Sequence, residues 1–168
     1  MKLSFKSKPM SVYSEVEVKA ADGAVLFTSE TEPLSPEHLT RLKDASHSIV
    51  ATTVSPVPEK ASRAHRIEFA DGRAMDLKRT WPHTWSTVDS AVVVREPAWR
   101  CSIHRAWTTR FCLRDEDGSE LAVGTQELGG LGDAYSVDVL DEARLVEVVA
   151  LCLVVCRVIA LDRPVPAV

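Results

Sequence analysis

Residues 145–161 read LVEVVALCLVVCRVIAL, and this stretch decides the fold. Fifteen of its 17 residues are apolar, interrupted only by Glu147 and Arg157, so a helix built from it has no polar face to give to water. Such a helix must be hidden. At about 1.5 Å per residue it runs roughly 25 Å, short of the roughly 20 residues of a comfortable bilayer span, and its two internal charges count further against lipid. The reading is a central helix over about 142–161, enclosed by protein, with no transmembrane insertion. Asp141 and Glu142 suit its N-terminus, where carboxylates accept from free amides and meet the positive end of the dipole. Arg163 and Pro164 supply a cation and a stop beyond the other end. Glu147 and Arg157, near opposite ends, are expected at the openings of whatever encloses the helix.

Upstream, the apolar period changes from helical to two. Asp22-Gly23 lies between Val16/Val18 and Val25/Phe27, Asp71-Gly72 between Ile67/Phe69 and Met75/Leu77, and Asp117-Gly118 between Phe111/Leu113 and Leu121/Val123. These are hairpin signals. Asp44-Ala45-Ser46-His47 and Glu96-Pro97 are weaker turns at the same spacing, and Gly129-Gly130-Leu131-Gly132 precedes Tyr135/Val137/Val139. Six turns at near-regular intervals predict serial hairpins and about twelve strands over about 12–140. Proline-rich stretches at 32–36, 55–58 and 81–83 mark connections. Antiparallel strands that must hide an apolar helix have one economical arrangement, a sheet closed around it. Closure removes exposed edges, and twelve strands leave a lumen too wide for side chains alone to fill. The expected fold class is mainly β (α+β): a closed antiparallel barrel of about twelve strands surrounding a hydrophobic C-terminal α-helix, in one domain over 1–168.

Composition agrees with a single core. The chain has 168 residues, 45% hydrophobic and 26% charged, which excludes a disordered or low-complexity chain. A net charge of −4 and a sequence pI near 5.7 argue against a nucleic-acid partner. Cys101, Cys112, Cys152 and Cys156 lack CxxC or Cys/His ligand spacing, so reduced thiols and no metal are expected. The first residues, MKLSFKSKPMSVYS, hold no apolar run of signal-peptide length, which predicts a cytoplasmic protein. No nucleophile-elbow, phosphate-loop, dinucleotide or zinc-protease motif occurs, and neither a catalytic residue nor a cofactor is assigned.

The segment Asp133-Ala-Tyr135-Ser-Val137-Asp-Val139, followed directly by the apolar helix and Ala160-Leu161-Asp162, is similar to the closing D-x-Y-x-V-x-V strand and terminal helix of the Tubby C-terminal-like superfamily. Its LURP-one-related branch, related to the phospholipid scramblases, is the nearest in pattern. The stretch 111–123, FCLRDEDGSELAV, resembles that group's preceding hairpin, and 39–52 resembles its second hairpin, although Ala45-Ser46-His47 follow Asp44 where a glycine is usual. The resemblance spans about 13–162 and implies a twelve-stranded barrel around a hydrophobic helix. It also implies a non-enzymatic binding module, since Tubby proteins bind phosphoinositide headgroups and scramblases are linked to lipid movement. It carries no catalytic set.

Charge is unevenly placed. Residues 60–114 hold 11 Lys and Arg against 5 Asp and Glu, a local +6 in a chain of net −4. Arg95, Arg100, Arg105 and Arg110 recur every five residues, with Trp99, Trp107 and His104 among them and Lys78 and Arg79 upstream. Guanidinium groups grip phosphates bidentately and Trp suits a wet apolar boundary. The six cations Lys78, Arg79, Arg95, Arg100, Arg105 and Arg110 are therefore the candidate site for anionic lipid headgroups on an outer face. Peripheral attachment to a membrane would follow. Spacing by five alternates faces along a strand, which separates Arg95 and Arg105 from Arg100 and Arg110. The alternatives are a solvated face paired with Asp115, Glu116 and Asp117, and a scaffold or protein-interaction domain with no lipid preference. Trp81-Pro82-His83-Thr84-Trp85 reads as packing at a barrel end or as an exposed clamp. Cys101 and His104 point to opposite faces of a strand, whereas Cys112 and His104 remain open as a nucleophile and base.

Overall fold

The computed structural model describes residues 1–8, 15–32, 38–55, 64–80, 90–127 and 134–161. Twelve strands follow one another: β1 (Lys2–Ser7), β2 (Val16–Ala20), β3 (Val25–Thr31), β4 (Thr40–Asp44), β5 (Ile49–Val54), β6 (Ala64–Phe69), β7 (Ala74–Thr80), β8 (Ser90–Val94), β9 (Arg100–Arg105), β10 (Thr109–Arg114), β11 (Glu120–Glu127) and β12 (Ala134–Val139). Each pairs antiparallel with its sequence neighbour, and β1 pairs with β12 to close the barrel. A 3-10 turn, Glu142–Arg144, leads into helix α1 (Leu145–Leu161).

Five successive helix residues, Val148, Val149, Ala150, Leu151 and Cys152, are at most 2% exposed. At 100° per residue they cover the whole circumference of the helix, so protein surrounds it on every side. The inward residues of the wall meet it. Val18, Ile67, Val92, Ile103, Leu113 and Val137 are all fully buried, while outward neighbours such as Arg66, Glu68, Asp76 and Arg114 are exposed. A barrel apolar within and charged without reverses the pattern of a membrane barrel. Among the described residues no helix is long and apolar enough to cross a membrane.

The five tight turns, at 22–23, 44–47, 71–72, 96–97 and 117–118, lie at the end where the helix enters, here called the near mouth. Four of them share one hydrogen-bond pattern. The amides of Ala20, Asp44, Phe69 and Asp115 donate to the carbonyls of Ala24, Ser48, Arg73 and Ser119, and those of Gly23, His47, Gly72 and Gly118 donate back. The back-donating residue is left-handed in every case, with φ of 89°, 64°, 87° and 84°. His47 thus occupies the position that glycine holds in the other three, which is how the turn after Asp44 survives without one. The Asp44 carboxylate helps by accepting from the amides of Ser46 and Ser48 at 2.9 and 3.0 Å, and these bonds with the Ser46 hydroxyl hold its pKa below the usual value.

Two details depart from the sequence reading. Strands were expected from about residue 12, yet β1 begins at Lys2 and completes the ring, setting Phe5 opposite both Tyr135 and Val18. The turns supply the strands from β2 to β12, and β1 is the twelfth. The expected turn at Gly129–Gly132, the Trp81–Trp85 segment and the helix stop at Arg163-Pro164 lie outside the described residues. At the helix start, Asp141 accepts from the Ala143 amide at 3.1 Å, the capping role anticipated for it.

Candidate functional site

The wall from β7 to β10 sorts the six candidate cations by strand alternation. On the outer face, Lys78 stands opposite Val93, Val93 opposite Arg100, and Arg100 opposite Arg114. At about 4.8 Å between strands, Lys78 and Arg100 are about 10 Å apart at the backbone. Arg110 is also exposed and faces His104, four residues (about 13 Å) farther along the same hairpin toward the far mouth. Arg95 is exposed in the β8–β9 turn at the near mouth, its amide donating to the Asp76 carbonyl at 3.0 Å.

Arg79 and Arg105 do not belong to this surface. Arg79 follows Met75 and Leu77 on the inward face of β7 and is 6% exposed. Arg105 follows the buried Cys101 and Ile103 on β9. Both point into the barrel because neighbours in a strand, such as Lys78 and Arg79, face opposite ways, as do Arg100 and Arg105 five apart. The outer patch is therefore Lys78, Arg100 and Arg110, with Arg95 at its near end.

Arg114 was not among the candidates, although a hairpin centred on Trp107 pairs positions equally distant from it and so aligns Arg100 with Arg114. Arg114 is held by Glu120, with Nη2 to Oε1 at 2.7 Å. Most other outward cations are similarly engaged: Arg66 with Glu68 and Asp76, Arg41 with Glu32, Lys43 with Glu30. Lys78, Arg95, Arg100 and Arg110 form no ion pair among the described residues. The indoles separate as well. Trp99 is 2% exposed with the Arg144 guanidinium 5.5 Å from its ring centre, whereas Trp107 at the tip of the β9–β10 hairpin is 97% exposed.

The thiols offer little nucleophilic chemistry. Cys112 lies opposite Ser102, making His104 a diagonal neighbour at about 7–8 Å on the outer face. The Cys112 thiol donates to Glu120 at 3.4 Å, and burial together with this bond raises its pKa, contrary to what an attacking thiolate needs. Burial pushes Cys152 up to about 12 and Cys101 well above its usual value. Among the described residues no cluster of three or more His, Cys, Asp or Glu could hold a metal ion. A cleft of about 280 Å³ at the near mouth joins Arg73 and Arg144 to Asp115, Glu116, Asp117 and Glu147, so its charges largely answer one another. The chain matches no protein-family model, no curated protein and no solved structure.

Proposed function

We propose that this protein is a non-enzymatic peripheral membrane-binding module that docks on anionic phospholipid headgroups through the β7–β10 outer face and the tip of the β9–β10 hairpin. The observation that carries this reading is the placement of Trp107, 97% exposed at the hairpin tip, on the same hairpin as Arg100 and Arg110. An indole in water has a natural berth at a bilayer interface. Cations near an anionic surface contribute about 1 kcal/mol each, so Lys78, Arg100 and Arg110 together give a weak, salt-sensitive attraction of about 3 kcal/mol. A twelve-stranded barrel around a helix is also what the LURP-one-related resemblance implies, and we read the chain as a distant relative of that group.

Flotation with vesicles of neutral phosphatidylcholine, with and without phosphatidylserine, tests the reading. Binding is expected only with the anionic lipid. It should be lost in Arg100→Glu/Arg110→Glu and weakened in Trp107→Ala. Equal recovery on both vesicle types, or binding indifferent to the charge reversal, would favour a scaffold with no lipid preference and end the headgroup proposal.

A further inference from the structure

The barrel interior changes character along its length. On β3, β4 and β5 the inward residues near the helix entrance are Phe27, Leu42 and Ala51; toward the far mouth they become Ser29, Thr31, Thr40, Thr53 and Ser55. Ser29, Thr31 and Ser55 are at most 5% exposed. Hydroxyls taken out of water need partners, and two such pairs are built in: Thr31 Oγ1 with Thr40 Oγ1 at 2.9 Å, and Ser55 Oγ with His65 Nδ1 at 2.8 Å. Residues this small do not fill the space that Leu or Phe fills at the other end. A cavity of about 250 Å³ remains between them and the last two turns of α1.

Apolar surface comes from Phe5 and from Val16, which stands beside Ser29 on the neighbouring strand, and from Leu153 and Val154 on the helix. Arg157 reaches the same cavity from the helix, with Nη2 3.4 Å from His38 Nδ1. Lys8 lines it as well, its ammonium held by Glu15 and Glu17 at 2.8 and 3.4 Å. Arg157 stands one turn beyond Leu153 and Val154 on the same helix face, so apolar surface, hydroxyls and a cation line one space, the usual mixture in a small-molecule site.

We propose that this cavity binds a small monocarboxylate, its apolar body against Phe5, Val16, Leu153 and Val154 and its carboxylate toward Arg157 and the hydroxyls of β3–β5. The volume, about that of eight waters, sets the size at roughly eight to ten non-hydrogen atoms. This site is inside the barrel and independent of the lipid-docking face.

The test is an amide NMR titration of the full chain with sodium hexanoate and, separately, 1-hexanol. Hexanoate should produce saturable shifts on β3, β4, β5 and the last two turns of α1, with a Kd of about 1 mM. Hexanol should bind at least tenfold more weakly, and Arg157→Gln should remove that preference. The surface variant Arg100→Glu/Arg110→Glu should leave the titration unchanged, keeping this site distinct from the outer face. Absence of saturable shifts up to about 10 mM hexanoate, shifts confined to the outer face, or equal response to the alcohol would each overturn the proposal.

Discussion

Arg73 Nη1 donates to Glu147 Oε1 at 2.6 Å, joining the β6–β7 turn to the first turn of the buried helix across 74 positions of sequence. The two ends of this bond live in different surroundings. The Glu147 side chain is 12% exposed and that of Arg73 61%. The carboxylate is the chief cause of a raised Arg73 pKa, with Asp71 second. Removing Arg73 leaves a carboxylate with little water to replace it. Arg73→Ala should therefore lower the urea midpoint more than Glu147→Gln, and the double variant should lose less than the two single losses combined. Strict additivity would show the bond to be incidental.

His47 sits at φ 64° where Gly23, Gly72 and Gly118 sit in the equivalent turns. A side chain at such a backbone costs about 1 kcal/mol. His47→Gly is expected to stabilise the barrel by about that amount in chemical denaturation, while His47→Ala should not. Equal effects from Gly and Ala would mean that the backbone conformation is not the cause.

Gly124 on β11 lies directly opposite Phe111 on β10, and a Cβ there would run into the Phe111 ring. That ring is 1% exposed and packed against Tyr135, with ring centres 6.5 Å apart, so it has nowhere to go. Gly124→Ala should cost about 3 kcal/mol. Adding Phe111→Leu should recover part of the loss, and a fully stable Gly124→Ala protein would refute the packing.

The buried thiols give the barrel an alkaline limit. Cys152 titrates at about 12 when folded against a usual 9.0, so as pH rises the unfolded chain releases its proton first. The contribution to stability is complete below pH 9.0 and falls from there to about 12, with a slope of roughly 1 kcal/mol per pH unit. Cys101, raised by burial as well, steepens the decline. Cys152→Val should flatten the fall in the urea midpoint over this window, and an unchanged slope would show that the thiol titrates alike in the folded and unfolded chain.

Local chemistry carried most of the fold. The turns at Asp22-Gly23, Asp71-Gly72 and Asp117-Gly118 and the apolar run of α1 depend on nearest neighbours, so sequence displays them directly. β1 was hidden because KLSFKS offers only Leu3 and Phe5 as apolar marks and no turn of the Asp-Gly kind follows it within the described residues. The arginines were legible as a charge excess but not as a surface, since alternation sends Arg79 and Arg105 inward. The alignment of Arg100 with Arg114, the clash under Phe111 and the gathering of Ser29, Thr31, Thr40 and Thr53 are matters of register between strands. One residue of slip would turn each to the opposite side.

The bond between β1 and β12 also bears on how the chain is made. A polypeptide emerging from the ribosome exposes β1 first, yet its second neighbour is not synthesised until residue 139, and the core that every strand faces arrives only with α1. Nearly the whole wall must wait, apolar side uncovered, for the last segment to thread it. Such late closure favours slow folding and a need for chaperones during synthesis.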